Sequence, residues 1–201
     1  QTIAATIYDI ADSSRRASVD FTQFLTSENG NPLPGTHLMG VVEGENRWQF
    51  SDGLVISDVT IKSGASVIVE AGAKLEFLDS ASLVVEEGAK LSVIGEANNP
   101  VIFTSGSSEE SFGDWGGINV KANNNVHISN AVIEYAEKGI YFEGMKASGT
   151  VTNSVIRNNN YGIYVHGASQ PLSNHPTPVV TNNVIQNNFM MFTTRLNNNI
   201  I

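Results

Sequence analysis

Residues 65–77 read ASVIVEAGAKLEF and residues 81–93 read ASLVVEEGAKLSV. At an offset of 16, eight of these thirteen positions are identical, and the apolar positions match throughout. Each copy is a β-branched run, a glycine-bearing turn (Ala71-Gly72-Ala73 or Glu87-Gly88-Ala89) and a second apolar run. Glycine recurs too often, and Val and Ile too densely, for a helix to hold here. The pattern predicts short strands joined by tight turns.

A looser repeat fills the C-terminal half. VHISNAVIEYAEKGIYF from Val126, TVTNSVIRNNNYGIYV from Thr150 and VVTNNVIQNNFMMFTT from Val179 align, so that Ile133, Ile156 and Ile185 correspond, as do Asn130, Asn153 and Asn182. Repeats of this length, rich in short strands, imply coils stacked along one axis. Equivalent side chains then lie about 4.8 Å apart along the stack. Two inward columns follow, Ile128–Val151–Val180 and Ile140–Ile163–Phe192. Asparagine suits the corners, because it tolerates left-handed backbone and can hydrogen-bond the coils above and below. The expected architecture is all-β: a parallel β-helix over 36–201, with short tight coils at 54–105, wider Asn-lined coils at 115–201, and an irregular N-terminal segment at 1–35.

Charge narrows the partners. Eleven Lys and Arg stand against twenty Asp and Glu, a net charge of −9. Residues 1–118 hold 6 basic and 17 acidic side chains, and 119–201 hold 5 and 3. A nucleic-acid partner needs a positive footprint, so none is expected. The absence of cysteine excludes disulfides, thiolate metal sites and cysteine catalysis. No apolar run reaches the ~18 residues of a membrane span.

Thr60-Ile61-Lys62-Ser63-Gly64, the two GAKL turns, PVIFTS at 100–105 and GDWGGI at 113–118 resemble the right-handed parallel β-helix repeat proteins of the pectin-lyase-like fold. The resemblance covers about residues 48–201 and implies the right-handed solenoid. It leaves activity open, because these coils serve lyases, hydrolases, epimerases, adhesins and inert spacers. Ile7-Tyr8-Asp9, Val19-Asp20-Phe21 and Phe24-Leu25-Thr26 resemble the closing stretch of a preceding unit, with residues 29–34 as a linker. The chain is therefore expected to be a segment of a larger tandem-repeat surface protein.

Among polysaccharide lyases of this fold, acidic clusters for calcium and a Lys or Arg base are implied; glycosidases need two facing carboxylates. After residue 118 the acids are Glu134, Glu137 and Glu143, with no pair that stands out, and Glu134 is expected in an exposed cross-coil pair with Arg157. No catalytic residue, metal ligand or cofactor is assigned. The outward positions flanking Gly-Ile stack Tyr141–Tyr164–Thr193 beside Glu143–His166–Arg195. Tyr141, Tyr164, Glu143, His166 and Arg195 are thus candidate ligand-binding residues, either a shallow platform for sugar rings or a self-stabilising ladder, the second preferred. His37 is placed in a linker, and His127 and His175 are read as solvated. Trp115 is read as packing, Lys74 and Lys90 as stacked one coil apart, and Met190-Met191-Phe192 as core filling. The function expected is a non-enzymatic extracellular module of a cell-surface, adhesin-like or fibre-forming protein, associating end to end with itself or with neighbouring repeat units. The alternatives are a polysaccharide-active enzyme and a glycan-binding module.

Overall fold

The computed structural model describes residues 37–49, 53–121, 125–144, 146–166, 178–190 and 196–197. The segment 1–35, the greater part of the 167–178 loop (including His175), and Met191, Phe192, Thr193 and Arg195 lie outside the described residues. β1 (His37–Val42), β2 (Glu45–Trp48) and β3 (Leu54–Ile61) come first. Complete coils follow: β4 (Ser66–Glu70), β5 (Lys74–Phe77) and β6 (Ser82–Val85); then β7 (Lys90–Ile94), β8 (Val101–Ser105) and β9 (Trp115–Lys121). β10 (Val126–Ser129), β11 (Ala131–Glu134) and β12 (Ala136–Glu143) make the next, and β13 (Thr150–Thr152), β14 (Val155–Arg157) and β15 (Tyr161–Val165) another. β16 (Val179–Thr181), β17 (Val184–Gln186) and β18 (Leu196–Asn197) end the described chain.

Each strand pairs in parallel with the strand one coil away, which generates three faces. The first face runs β2-β4-β7-β10-β13-β16-β18. The second runs from residues 54–56 of β3 through β5, β8, β11, β14 and β17, and the third from residues 59–61 of β3 through β6, β9, β12 and β15. β1 pairs along β3. This is a right-handed parallel β-helix.

The period behind it is eight residues. SDVTIKSG, ASVIVEAG, AKLEFLDS and ASLVVEEG occupy 57–88, each supplying one strand and one turn. Gly64, Gly72, Ser80 and Gly88 end them with φ of 84°, 81°, 61° and 81°. The next residue closes every turn in the same way: Ala65, Ala73, Ala81 and Ala89 donate N–H to the carbonyls of Lys62, Glu70, Leu78 and Glu86 at 2.8–3.1 Å. A positive φ at the third turn position is the type II requirement. Three such units make one coil, so Val67 lies against Leu91, twenty-four residues on. The 16-residue offset is therefore two-thirds of a coil, not a whole one. Lys74 and Lys90 accordingly do not stack: Lys74 is in register with Ile102, and Lys90 with Ser66. The Asn-lined coils vary in length: Ile128 meets Val151 twenty-three residues on, and Val151 meets Val180 twenty-nine residues on.

The core is a set of vertical columns. Trp48–Val69–Val93–Ile128–Val151–Val180 lines the first face and Leu54–Leu75–Phe103–Ile133–Ile156–Ile185 the second. Val59–Leu83–Ile118–Ile140–Ile163 lines the third, and every member is buried. Trp115 packs inside as expected, its ring 4.0 Å from that of Phe77 and its Nε1–H donating to the Glu134 carbonyl at 2.8 Å. His37 is not in a linker; it stands on β1 with Nε2 2.7 Å from Ser57 Oγ. Met190 fills no core, being 47 % exposed where it bridges to Tyr161.

Asparagine does two jobs in two separate columns. Asn130, Asn153 and Asn182 turn the first corner at φ of 49–57°, and Tyr135, Asn158 and Asn187 the second at 51–64°. The residues just after them form the buried hydrogen-bond ladders. Ser154 N donates to Asn183 Oδ1 at 2.9 Å, and Ala136 N to Asn159 Oδ1 at 2.8 Å. Asn159 N in turn donates to Asn188 Oδ1 at 3.0 Å.

Candidate functional site

The outward surface of the third face carries the predicted residues. Ile140 and Phe142 are buried while Tyr141 and Glu143 point out, as period-two alternation requires. Tyr164 lies in register with Tyr141, the ring centroids 5.3 Å apart and tilted by 59°. His166 donates its backbone N–H to the Phe142 carbonyl at 3.0 Å, which sets it one coil beyond Glu143. Arg195 falls outside the described residues.

Two members of this surface escape a strict alternation. Counting back from buried Ile140 puts residue 138 inside, yet Lys138 is half-exposed. A register shift between Lys138 and Ile140 inserts Gly139, which is buried, and returns Lys138 to the outer surface. Lys138 Nζ stands 4.5 Å from the Tyr141 ring centroid and 5.5 Å from that of Tyr164. Tyr161 is in register with Lys138 and meets Tyr164 edge-on at 5.4 Å. The glycine before each Gly-Ile isoleucine was the available signal. Gly117 below them is obligatory: at φ of 104°, a Cβ there would lie 1.7 Å from the Lys138 carbonyl oxygen.

Beside the rings runs a column of alternating charge. Register places Glu43, Lys62, Glu86, Lys121, Glu143 and His166 on successive coils. Lys62 Nζ is 2.9 Å from Glu86 Oε1, and Lys121 Nζ is 3.2 Å from Glu143 Oε2. The Lys62 hydrogen bond holds the Glu86 carboxyl below its ordinary range, against the opposing pull of burial. Lys121 does the same for Glu143, again against burial, with Asn119 and the charge of His166 assisting. Burial, then the Glu143 and Tyr164 charges, push the Tyr141 hydroxyl up.

The second face repeats the theme. Glu134 Oε2 accepts from Arg157 Nε at 2.7 Å, and Glu134 Oε1 from Thr104 Oγ1 at 3.2 Å. The pairing matches expectation, but the carboxylate is buried rather than exposed, only 8 % of the residue being accessible. Arg47 pairs with Glu70 across the first face, where a shallow depression also touches Gln49, Ile94 and Asn99. Among the described residues, no group of three or more His, Asp or Glu is placed to hold a metal ion, and no helix is long and apolar enough to cross a membrane. His127 is exposed, its Nδ1 2.8 Å from Thr150 Oγ1.

Residues 53–139 match the family model of the pectate-lyase-like beta helix domain. No curated protein and no solved structure matches the chain.

Proposed function

We propose that this chain, whose residues 53–139 carry a pectate-lyase-like beta helix domain, serves as a non-catalytic structural module of an extracellular or cell-surface protein, adhesin-like or fibre-forming, that associates end to end. One observation carries the reading. Glu70, Glu86, Glu134 and Glu143 are each ion-paired to a Lys or Arg one coil away. Glu86 and Glu143, whose carboxyls are held below their ordinary value, are poor general acids, a role that needs a raised pKa. These groups instead fasten coil to coil, so that each rung templates the next. Incubation with acidic and neutral polysaccharides is the test. A scaffold yields no new reducing or unsaturated ends; their appearance would establish a polysaccharide-active enzyme and end this reading.

A second reading rests on Tyr141, Tyr161, Tyr164 and Lys138. Aromatic faces beside hydrogen-bonding groups suit sugar rings, and Glu143 and His166 border the same surface. Affinity electrophoresis in polysaccharide gels separates the two: retardation lost in Tyr141→Ala/Tyr164→Ala supports glycan binding, and identical migration of parent and variant removes it.

A further inference from the structure

Lys138 differs from the other cations of its face. Lys62 and Lys121 each have a carboxylate, whereas Lys138 has ring faces and no acidic partner among the described residues. It sits amid Tyr141, Tyr161 and Tyr164, a half-exposed aromatic cluster around an uncompensated positive charge.

The complementary group is on the same chain. Residues 106–112, GSSEESF, leave the stack between β8 and β9 and are exposed throughout. The loop is braced. Ser107 N–H donates to Ser105 Oγ at 3.0 Å, Glu109 N–H to Ser107 Oγ at 3.2 Å, and Ser111 N–H to Asp114 Oδ2 at 2.9 Å. Glu110 is tied to the Tyr135 hydroxyl. That leaves the Glu109 carboxylate and the Phe112 ring, 41 % exposed, without a partner among the described residues. One surface offers a cation ringed by aromatics, the other an anion beside an aromatic, held ready at little entropic cost.

We propose that the Lys138–tyrosine cluster receives the 106–112 loop of a second copy of this chain, Glu109 meeting Lys138 and Phe112 meeting the tyrosine rings. Charge favours this occupant. Residues 1–118 carry 17 acids against 6 bases, and residues 119–201 carry 3 against 5, so the loop of one copy meets the less acidic half of the other. Loop and socket adjoin the same corner of the stack, since Gly113 at the loop's end lies against Asn160 and Glu137. One two-fold axis can therefore seat both loops at once, giving a closed dimer. The contact is lateral and does not depend on the end-to-end association proposed above. Its small area makes it weak and salt-sensitive.

Sedimentation velocity across a concentration series tests it with Lys138→Glu, Glu109→Lys and the combined variant, each checked by circular dichroism. The parent forms a dimer that high salt dissociates, and each single variant raises its dissociation constant about tenfold or more. The combined variant, with the charges exchanged, regains the dimer. Phe112→Ala, on an exposed loop where folding is not at stake, weakens it too. A monomer at every concentration overturns the proposal. So does association that ignores all these variants, which would belong to the open ends of the stack. A monomer that loses binding to an acidic polysaccharide on Lys138→Glu also overturns it, assigning the socket to a glycan.

Discussion

Adjacent asparagines at the second corner carry different burdens. Asn158 supplies a left-handed φ of 57°, and Asn159, fully buried, supplies hydrogen bonds. Its Oδ1 accepts from Ala136 N, while its Nδ2 donates to the carbonyls of Ile133 and Arg157 and to Asn188 Oδ1. Asn159→Ala strands a buried backbone N–H and should destabilise by roughly 3 kcal/mol. Asn158→Gly keeps the backbone conformation and gives up the exposed hydrogen bond that Asn158 Oδ1 accepts from Asn187 Nδ2, so it should stay within roughly 1 kcal/mol. Urea denaturation at constant m-value checks the pair, and equal losses would refute the division of labour. The glycines make a second contrast. Gly64 has nothing within 4 Å of an added Cβ, whereas Gly117 has the Lys138 carbonyl oxygen at 1.7 Å. Gly64→Ala should cost only the left-handed strain, roughly 1–2 kcal/mol, and Gly117→Ala should prevent folding of the third face, both readable in thermal melts. The corner column was legible in the sequence because Asn130, Asn153 and Asn182 keep register with the apolar positions. The ladder column was not, because Ala136, Asn159 and Asn188 differ in type and only the coil register shows them to be one structure.

At the level of strands, alternation gave the outward placement of Tyr141, Glu143 and Tyr164 and failed at Lys138 and Tyr161. Period-two counting assumes an unbroken ladder, and the extra residue at Gly139 breaks it. The charge column was likewise seen only in part. Glu143 and His166 fell within aligned repeats, but Lys62, Glu86 and Lys121 belong to coils of different spacing: Ile61 meets Val85, and Val85 meets Val120 across the 106–112 insertion. Its pairs make stability depend on acid. Glu86 and Glu143 have carboxyls lowered from their ordinary value of 4.5. A lowered group contributes stability that is fully present above the unfolded value and is lost as pH falls through the lower folded value. The melting temperature should therefore fall below about pH 4.5. Since these side chains are about a third exposed or more, each contributes no more than about 1 kcal/mol. Lys62→Gln and Lys121→Gln should lower stability at neutral pH and flatten the decline in acid. Parallel curves for parent and variants between neutral and acidic pH would show that these pairs do not link folding to protonation.

For the molecule as a whole, the eight-residue unit sets the phase and the three-unit coil sets the face. The sequence showed the solenoid through its apolar columns but concealed the coil length, because units 65–72 and 81–88 resemble each other more than either resembles 73–80, whose turn uses Ser80 in place of glycine. Sequence similarity followed turn chemistry, whereas stacking followed three-fold geometry. In a quasi-one-dimensional stack each coil answers chiefly to its neighbours, so length can change if phase does not. Duplicating residues 65–88 adds one coil. Every later strand keeps its face, and the Phe77–Trp115 stack and the corner asparagines keep their neighbours. That variant should unfold cooperatively within a few degrees of the parent, with small-angle scattering showing a stack longer by about 4.8 Å. Duplicating residues 65–76 adds one and a half units, which sets turn glycines against strand positions and turns apolar side chains to the outside. It should lose cooperative unfolding and expose apolar surface to a hydrophobic dye. A twelve-residue insertion that melts like the parent would mean that the coils do not read one another's phase, and the columns would then need a cause other than cross-coil pairing.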